Sequence, residues 1–329
     1  MRTLATRRVT VLALLALVLS AALCFAGGSR ERISIRVASP FKTPHILVDA
    51  AEKFESIIEE ETKGRISVLI LAGSASEEDV NIQCSQGAVD IQLTGGRPVE
   101  VFAPQYFFFN APYVIKDYEH FVRVWNGTLG TKAKDLVLAK GNMVSMGTVY
   151  RGLRQTTSNK PITGPGDLTG LKLRLPVVET WITVWKSLGT EPVPVPLPEL
   201  YQALKSGRAE ASEGDLTQLV SFKLAEVQSQ LSLTNHLVAI GWVVANKGFY
   251  DRLSSADQKR VTKAMEQACQ WATGKMKNSE SDLLKQLQSA GMKVTTPDAA
   301  AIRDKAKGAV EGLFKTAWPV TTWAEVLAQ

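Results

Sequence analysis

From Ile33 to Ala38 apolar and charged residues take turns, the pattern of a strand with one buried face, and Thr43-Pro44 then supplies an N-cap and a first helical residue. Leu47, Ala50, Phe54 and Ile57 recur at the spacing of one helix face, Gly64 closes that helix, and the β-branched run Ile66 to Leu71 predicts a second strand. The same alternation continues. Gly87 to Ile91 predicts a short buried strand after a helix, and Met143 to Val149 another after a helical stretch around His120 to Trp125. Leu171 to Leu175 starts a further unit, with Thr180 to Ser187 as its helix and Gly189 as its cap. Strands alternating with helices predict an α/β fold with a mostly parallel sheet covered on both faces.

Pro192, Pro194, Pro196 and Pro198 remove backbone donors at alternate positions, which places that segment on a sheet edge or in a crossover. Pro198 also suits the first turn of a helix over Glu199 to Ser206. A strand over Val238 to Ala245 precedes a long helix from about Ser254, with Val261, Met265, Ala268 and Ala272 along one face and its extent past Gly274 left open. Trp318 and Trp323 give the tail two large apolar anchors against fraying.

Charge changes the picture at the start of the chain. Arg2, Arg7 and Arg8 precede the apolar run Val9 to Leu23 and the small residues Ala26, Gly27 and Gly28, which together read as an export signal over residues 1–26. The run falls short of the ~20 residues a spanning helix needs. Removing the signal takes three of the 38 basic residues and none of the 32 acidic ones, so the formal charge drops from +6 to +3. Mixed charge of that size lacks the basic footprint of a nucleic-acid binder. The remaining length suits two domains with full cores.

Cys24, Cys84 and Cys269 form no Cys-x-x-Cys pair, and His45, His120 and His236 are scattered without metal-ligand spacing, so no metal centre is expected. Each histidine is expected to be a surface residue or a satisfied structural one. Cys84 and Cys269 have two alternatives, a disulfide or two buried free thiols. Cys24 also has two: simple signal cleavage near Ala22 or Ala26, or lipid anchoring in Leu19-Ser-Ala-Ala-Leu-Cys24, which loosely resembles a lipobox. No nucleophile elbow, Walker loop or dinucleotide fingerprint occurs, so neither an enzyme nor a cofactor is expected. Glu77-Glu-Asp79 reads as a solvated helix start, where the macrodipole favours carboxylates.

The densest chemistry lies between Thr148 and Asn246. In order, the chain carries Arg151-Gly-Leu-Arg154-Gln-Thr-Thr-Ser-Asn-Lys-Pro161, Asp167-Leu-Thr-Gly-Leu-Lys-Leu-Arg174-Leu-Pro176, Leu188-Gly-Thr-Glu-Pro192, Glu199-Leu-Tyr-Gln-Ala-Leu-Lys-Ser-Gly207 and Glu226-Val-Gln228. This set resembles the extracytoplasmic solute receptors of TRAP transporters, the DctP-type P subunits, over about Ile33 to Pro297. The resemblance implies a two-domain periplasmic-binding-protein clamshell with a long interdomain helix. Residues 27–151 plus 240–279 would form domain I and residues 152–239 plus 280–329 domain II. It implies a periplasmic receptor that delivers a small organic anion to a TRAP-type permease driven by an ion gradient. A subclass working with a TPR-repeat partner protein is left open, and an extracytoplasmic sensor that presents its closed form to a signalling receptor is the alternative.

Arginine's rigid donor fork fits a carboxylate bidentately, and by the resemblance Arg174 is the ligand's carboxylate clamp. Arg154 is its helper. Arg151 is read as a solvated extra charge. The segment Glu210-Ala-Ser-Glu213-Gly214-Asp215 corresponds to the family's acidic-plus-amide segment, with Gly214 where an asparagine usually binds ligand and Glu213 beside it. Val177 follows the Arg-x-Pro motif where polar receptors place asparagine, and Trp181 and Leu197 add apolar surface. The expected ligand is therefore a monocarboxylate with an apolar or aromatic body. Tyr106-Phe-Phe-Phe109 and Tyr113 read as core, with one or two rings available to wall the cleft.

Overall fold

The computed structural model describes residues 32–73 and 75–329, so the export signal and Cys24 lie outside the described residues. The strands are β1 (Ile33–Ser39), β2 (Ile66–Ala72), β3 (Ile91–Thr94), β4 (Met143–Ser158), β5 (Lys172–Leu175), β6 (Glu191–Pro194), β7 (Ala211–Asp215), β8 (Gln230–Asn246) and β9 (Lys293–Thr295). The helices are α1 (Ile46–Thr62), α2 (Glu77–Gln86), α3 (Arg97–Phe102), α4 (Tyr118–Asn126), α5 (Thr128–Gly141), α6 (Glu179–Ser187), α7 (Leu200–Lys205), α8 (Leu216–Ser221), α9 (Lys247–Arg252), α10 (Ser255–Ser289), α11 (Ala299–Thr316) and α12 (Trp323–Leu327).

Among the described residues the strands join in one sheet of order β2-β1-β3-β8-β4-β7-β5-β6, with β9 also on β8. Pairing is parallel between β1 and β3, β5 and β6, β5 and β7, and β8 and β9. The antiparallel pairings all involve the two long central strands, β4 and β8. Proline-rich β6 ends the order as an edge, where its missing donors leave no ladder bond unmade.

Several elements differ from expectation at their ends. His45, not Thr43, caps α1, its Nδ1 accepting from the Leu47 amide at 3.1 Å. Ile58 rather than Ile57 enters the core beside Phe54. Gly87 is the left-handed C-cap of α2, at φ 80°, so the strand expected over Gly87 to Ile91 starts only at Ile91. β4 and β8 are each far longer than the apolar runs that signalled them. α10 runs on past Gly274 to Ser289, burying Val261, Met265, Ala268 and Ala272 against α1 and β4.

The pairing of β4 with β8 shifts register between Tyr150 and Leu153 and again between Arg154 and Thr156. Such irregularities bend a strand and re-aim its side chains. Gly152 lies inside the first shift at φ 91°, where a side chain is strained, and a Cβ there would sit 3.0 Å from Met276 Cε and Glu280 Oε1 of α10. Arg151 and Arg154 flank that bend. Aromatic packing closes the core nearby: Phe109 meets Trp125 edge-on at 5.0 Å, and Trp318, fully buried, meets Phe314 at 5.2 Å. The tail is docked as expected, with the His120 ring 2.8 Å from the Val326 carbonyl oxygen.

Candidate functional site

β7 places two carboxylates under the arginines. Glu213 and Asp215 are both fully buried. Arg154 donates from both Nε and Nη2 to Glu213, the latter bond at 2.7 Å, and its Nη1 lies 3.9 Å from Asp215. Arg151 donates to Asp215 at 2.7 Å and stacks 4.3 Å over the Phe41 ring. Arg151 is only 3 % exposed, which overturns its reading as a solvated charge. The carboxylate on β7 and the Phe41 ring replace the water it would otherwise need.

The acids respond to these partners. Burial alone would raise the Glu213 pKa, but Arg154 and the His236 hydrogen bond, at 3.2 Å, hold it down at about 2. Asp215 is likewise pulled well below the carboxylate range, against burial, chiefly by Arg151. Arg154 is pulled down by burial but raised on balance by Glu213. His45 is driven down to about 3 by burial, so it is neutral at physiological pH. All three histidines are buried, structural rather than surface residues. No group of His, Cys, Asp or Glu able to hold a metal occurs among the described residues.

Arg174 differs from its neighbours. It is 1 % exposed, and its Nε and Nη2 both donate to the Val195 carbonyl, at 2.9 and 2.6 Å. It forms no ion pair among the described residues. Burial pushes its pKa down to about 10, with Glu213 opposing the shift and Arg154 adding to it. A buried guanidinium facing a neutral carbonyl is short of negative charge.

Arg151, Arg154 and Arg174 line one cavity of about 40 Å³ with Arg97, Trp181, Val177, Leu197, Phe107 and Gln218. The Trp181 indole N–H is committed to the Asn110 carbonyl at 2.6 Å while its ring lies 5.1 Å from the Arg154 guanidinium carbon. Leu197 is buried, and Val177 is 44 % exposed at the rim. Of the residues expected at the site, Arg174, Arg154, Trp181, Val177 and Leu197 come together on the cavity wall. Glu213 and Gly214 do not line it: Glu213 lies beneath Arg154, and a Cβ at Gly214 would point at Gln218, 2.8 Å from its Nε2.

Acids also line the cavity, which the sequence reading missed. Glu77, Glu78 and Glu100 line the cavity. Ser76 caps α2, and the helix starts where Glu77-Glu-Asp79 was expected to start one, but Glu77 accepts from the Gly95 amide at 2.6 Å and Glu78 pairs with Arg97. Burial pushes Glu100 up to about 7, Arg97 pulling it back from 2.8 Å. Phe107 is the ring of the aromatic run that reaches the wall; Tyr106, Phe108 and Phe109 are core. Cys84 and Cys269 are buried free thiols, which settles their two alternatives.

A mixed sheet with two long shared strands, and a buried cleft in which Arg174 has no carboxylate partner among the described residues, fit a binding protein for a small organic anion. Residues 38–316 match the family described as bacterial extracellular solute-binding protein, family 7, and the chain belongs to it. It is similar to the sialic acid-binding periplasmic protein SiaP of Vibrio cholerae, 29 % identical over 269 residues, 81 % of this chain and 83 % of that one. Two solved TRAP periplasmic solute-binding proteins share its fold. One, from Roseobacter denitrificans with bound L-galactonate, has a TM-score of 0.83 at 27 % identity, covering 91 % of this chain and 100 % of that one. The other, from Bordetella bronchispeptica with density attributed to pantoate, has 0.81 at 26 %, covering 86 % and 95 %. The chain is a periplasmic transport receptor of the TRAP type, and the sensor alternative gains no support from these relatives.

Proposed function

We propose that this receptor captures a monocarboxylate with an apolar body, clamps its carboxylate with Arg174 and Arg154, and hands it to a TRAP-type permease without chemical change. The observation that carries the proposal is Arg174, buried and without a carboxylate partner among the described residues. Val177, Val178, Pro176, Pro196 and Leu197 supply the apolar contacts, and the pantoate attributed to the Bordetella relative carries two methyl groups between its two hydroxyl-bearing carbons.

A cavity of about 40 Å³ holds water-sized occupants, far below the ~300 Å³ at which small-molecule sites begin, so loading requires its walls to part. The hinge in this proposal is the bent stretch of β4 from Arg151 to Arg154 with its neighbours on β8 near Ala239. It separates residues 27–151 plus 240–279 from residues 152–239 plus 280–329, and α10 spans both. Closure excludes water and strengthens the ion pair. Export by residues 1–26, with lipid on Cys24 as the anchored variant, and a TPR-repeat partner complete the reading.

Native mass spectrometry of the purified mature protein and of Arg174→Ala tests it. A carboxylic acid retained by the wild type and absent from the variant is the expected result. Equal loading of both removes Arg174 from its role, and tighter binding of L-galactonate than of pantoate in calorimetry removes the apolar body.

A further inference from the structure

Gly214 stands where the sequence lacks a side chain, and the structure fills that space from one turn along. α8 begins at its N-cap Asp215, whose Oδ1 accepts from the Gln218 amide at 3.0 Å and from the Thr217 hydroxyl at 2.6 Å. Its Oδ2 holds Arg151. One carboxylate thus fixes both an arginine of the cleft and the helix turn that carries Gln218. The Gln218 side chain folds back so that Nε2 sits 2.8 Å from the place a Cβ at 214 would occupy. Any larger residue at 214 would displace it.

Gln218 is 2 % exposed, lines the cavity with Arg151, Arg154 and Arg174, and its Nε2 has no hydrogen-bond partner. Arg151 Nε, in the same cavity, is also buried and unpaired. A buried N–H without an acceptor carries an unrelieved desolvation penalty. A protein surface gains nothing from such an arrangement; a cleft that receives an oxygen-bearing anion does.

We infer that Gln218 is a ligand-binding residue, its Nε2 donating to an oxygen of the anion held by Arg174, and that Gly214 serves to make room for it. The inference rests on the proposed carboxylate clamp. It makes position 218, on a helix, a determinant of which oxygen pattern the cleft accepts.

Calorimetric titration of pantoate and of L-galactonate into wild type, Arg174→Ala, Gln218→Leu and the isosteric Gln218→Glu tests this, with thermal unfolding of each ligand-free protein alongside. A hydrogen bond to a charged group corresponds to about tenfold or more in affinity. The expected result is loss of binding in Arg174→Ala, weakening by about tenfold in Gln218→Leu, and a larger loss in Gln218→Glu, which sets a carboxylate against the anion. Gly214→Asn combined with Gln218→Ala, which moves the amide back to the strand, is expected to bind within about threefold of wild type, as an exchange of one such bond for another. If Arg174→Ala abolishes binding while both folded Gln218 variants bind like wild type, the role of Gln218 is overturned and the clamp stands. If wild type takes up neither acid, or Arg174→Ala binds normally, the clamp falls and Gln218 with it. Should Gln218→Leu fail to fold, Gln218→Glu carries the decision, since it keeps the volume.

Discussion

Replacing Glu213 by Gln keeps the shape of the side chain and removes its charge, which isolates what the buried ion pair contributes. Arg154 would then face an amide, with Asp215 3.9 Å away as its nearest remaining acid. Two routes give the size of the effect. A carboxylate held at about 2 against an ordinary 4.5, at ~1.4 kcal/mol for each tenfold, contributes about 3 kcal/mol at neutral pH. Removing one partner of a buried pair costs about 3 to 5 kcal/mol by mutational experience. The two are of the same order, and at about 1.6 °C per kcal/mol for a chain of about 300 residues the melting temperature should fall by roughly 5 to 8 °C. The pH dependence carries a definite sign. The folded-state pKa is depressed, so the stability is fully present above about 4.5 and is lost as pH falls toward about 2. Urea unfolding at pH 7 and pH 3 should therefore show a wide gap between wild type and Glu213→Gln that narrows in acid. A variant within ~0.5 kcal/mol of wild type at pH 7, or a gap that stays constant with pH, would refute the assignment of Glu213 as the ionic foundation of Arg154.

Two further outcomes follow from the packing. Trp318→Ala empties a fully buried site between Phe108 and Phe314, and thermal unfolding should report a loss of about 3 to 5 kcal/mol; a loss under ~1 kcal/mol would mean that the tail does not close the core. With Cys24→Ser in place, a thiol reagent should find Cys84 and Cys269 unreactive until urea is added, because burial raises both thiol pKa values. Fast labelling of the native protein would contradict that.

Where a segment buries one face of large side chains, its sequence reveals it. β1, α1 and the long α10 are legible for that reason. α5 was missed because its buried positions are Gly130, Ala133, Val137 and Gly141, too small to draw an apolar stripe. The missed stretches of β4 and β8 bury many polar residues: Arg151, Arg154, Gln155, Thr156 and Thr157 on one strand, and Ser232, Thr234 and His236 between Leu231 and Leu237 on the other. Polar residues break the period that marks a strand when tertiary partners satisfy them. Arg154 and Arg174 were readable through their motifs, but Arg151 was misread as solvated, and the acids around them were not legible. Glu77 and Glu78 look like any helix start until the fold brings Gly95 and Arg97 to them. Gln218 gave no signal beyond standing one turn after Gly214.

The two acids on β7 are sealed inside the sheet, whereas Val177 stands half open at the rim of the same cleft. Charge preference is thereby tied to folding: losing Glu213 or Asp215 would cost stability as well as the setting of the arginines. Rim positions carry no such penalty. Divergence among descendants of this receptor is accordingly channelled, with the acid group of the nutrient inherited and the rest of the nutrient free to change one rim residue at a time.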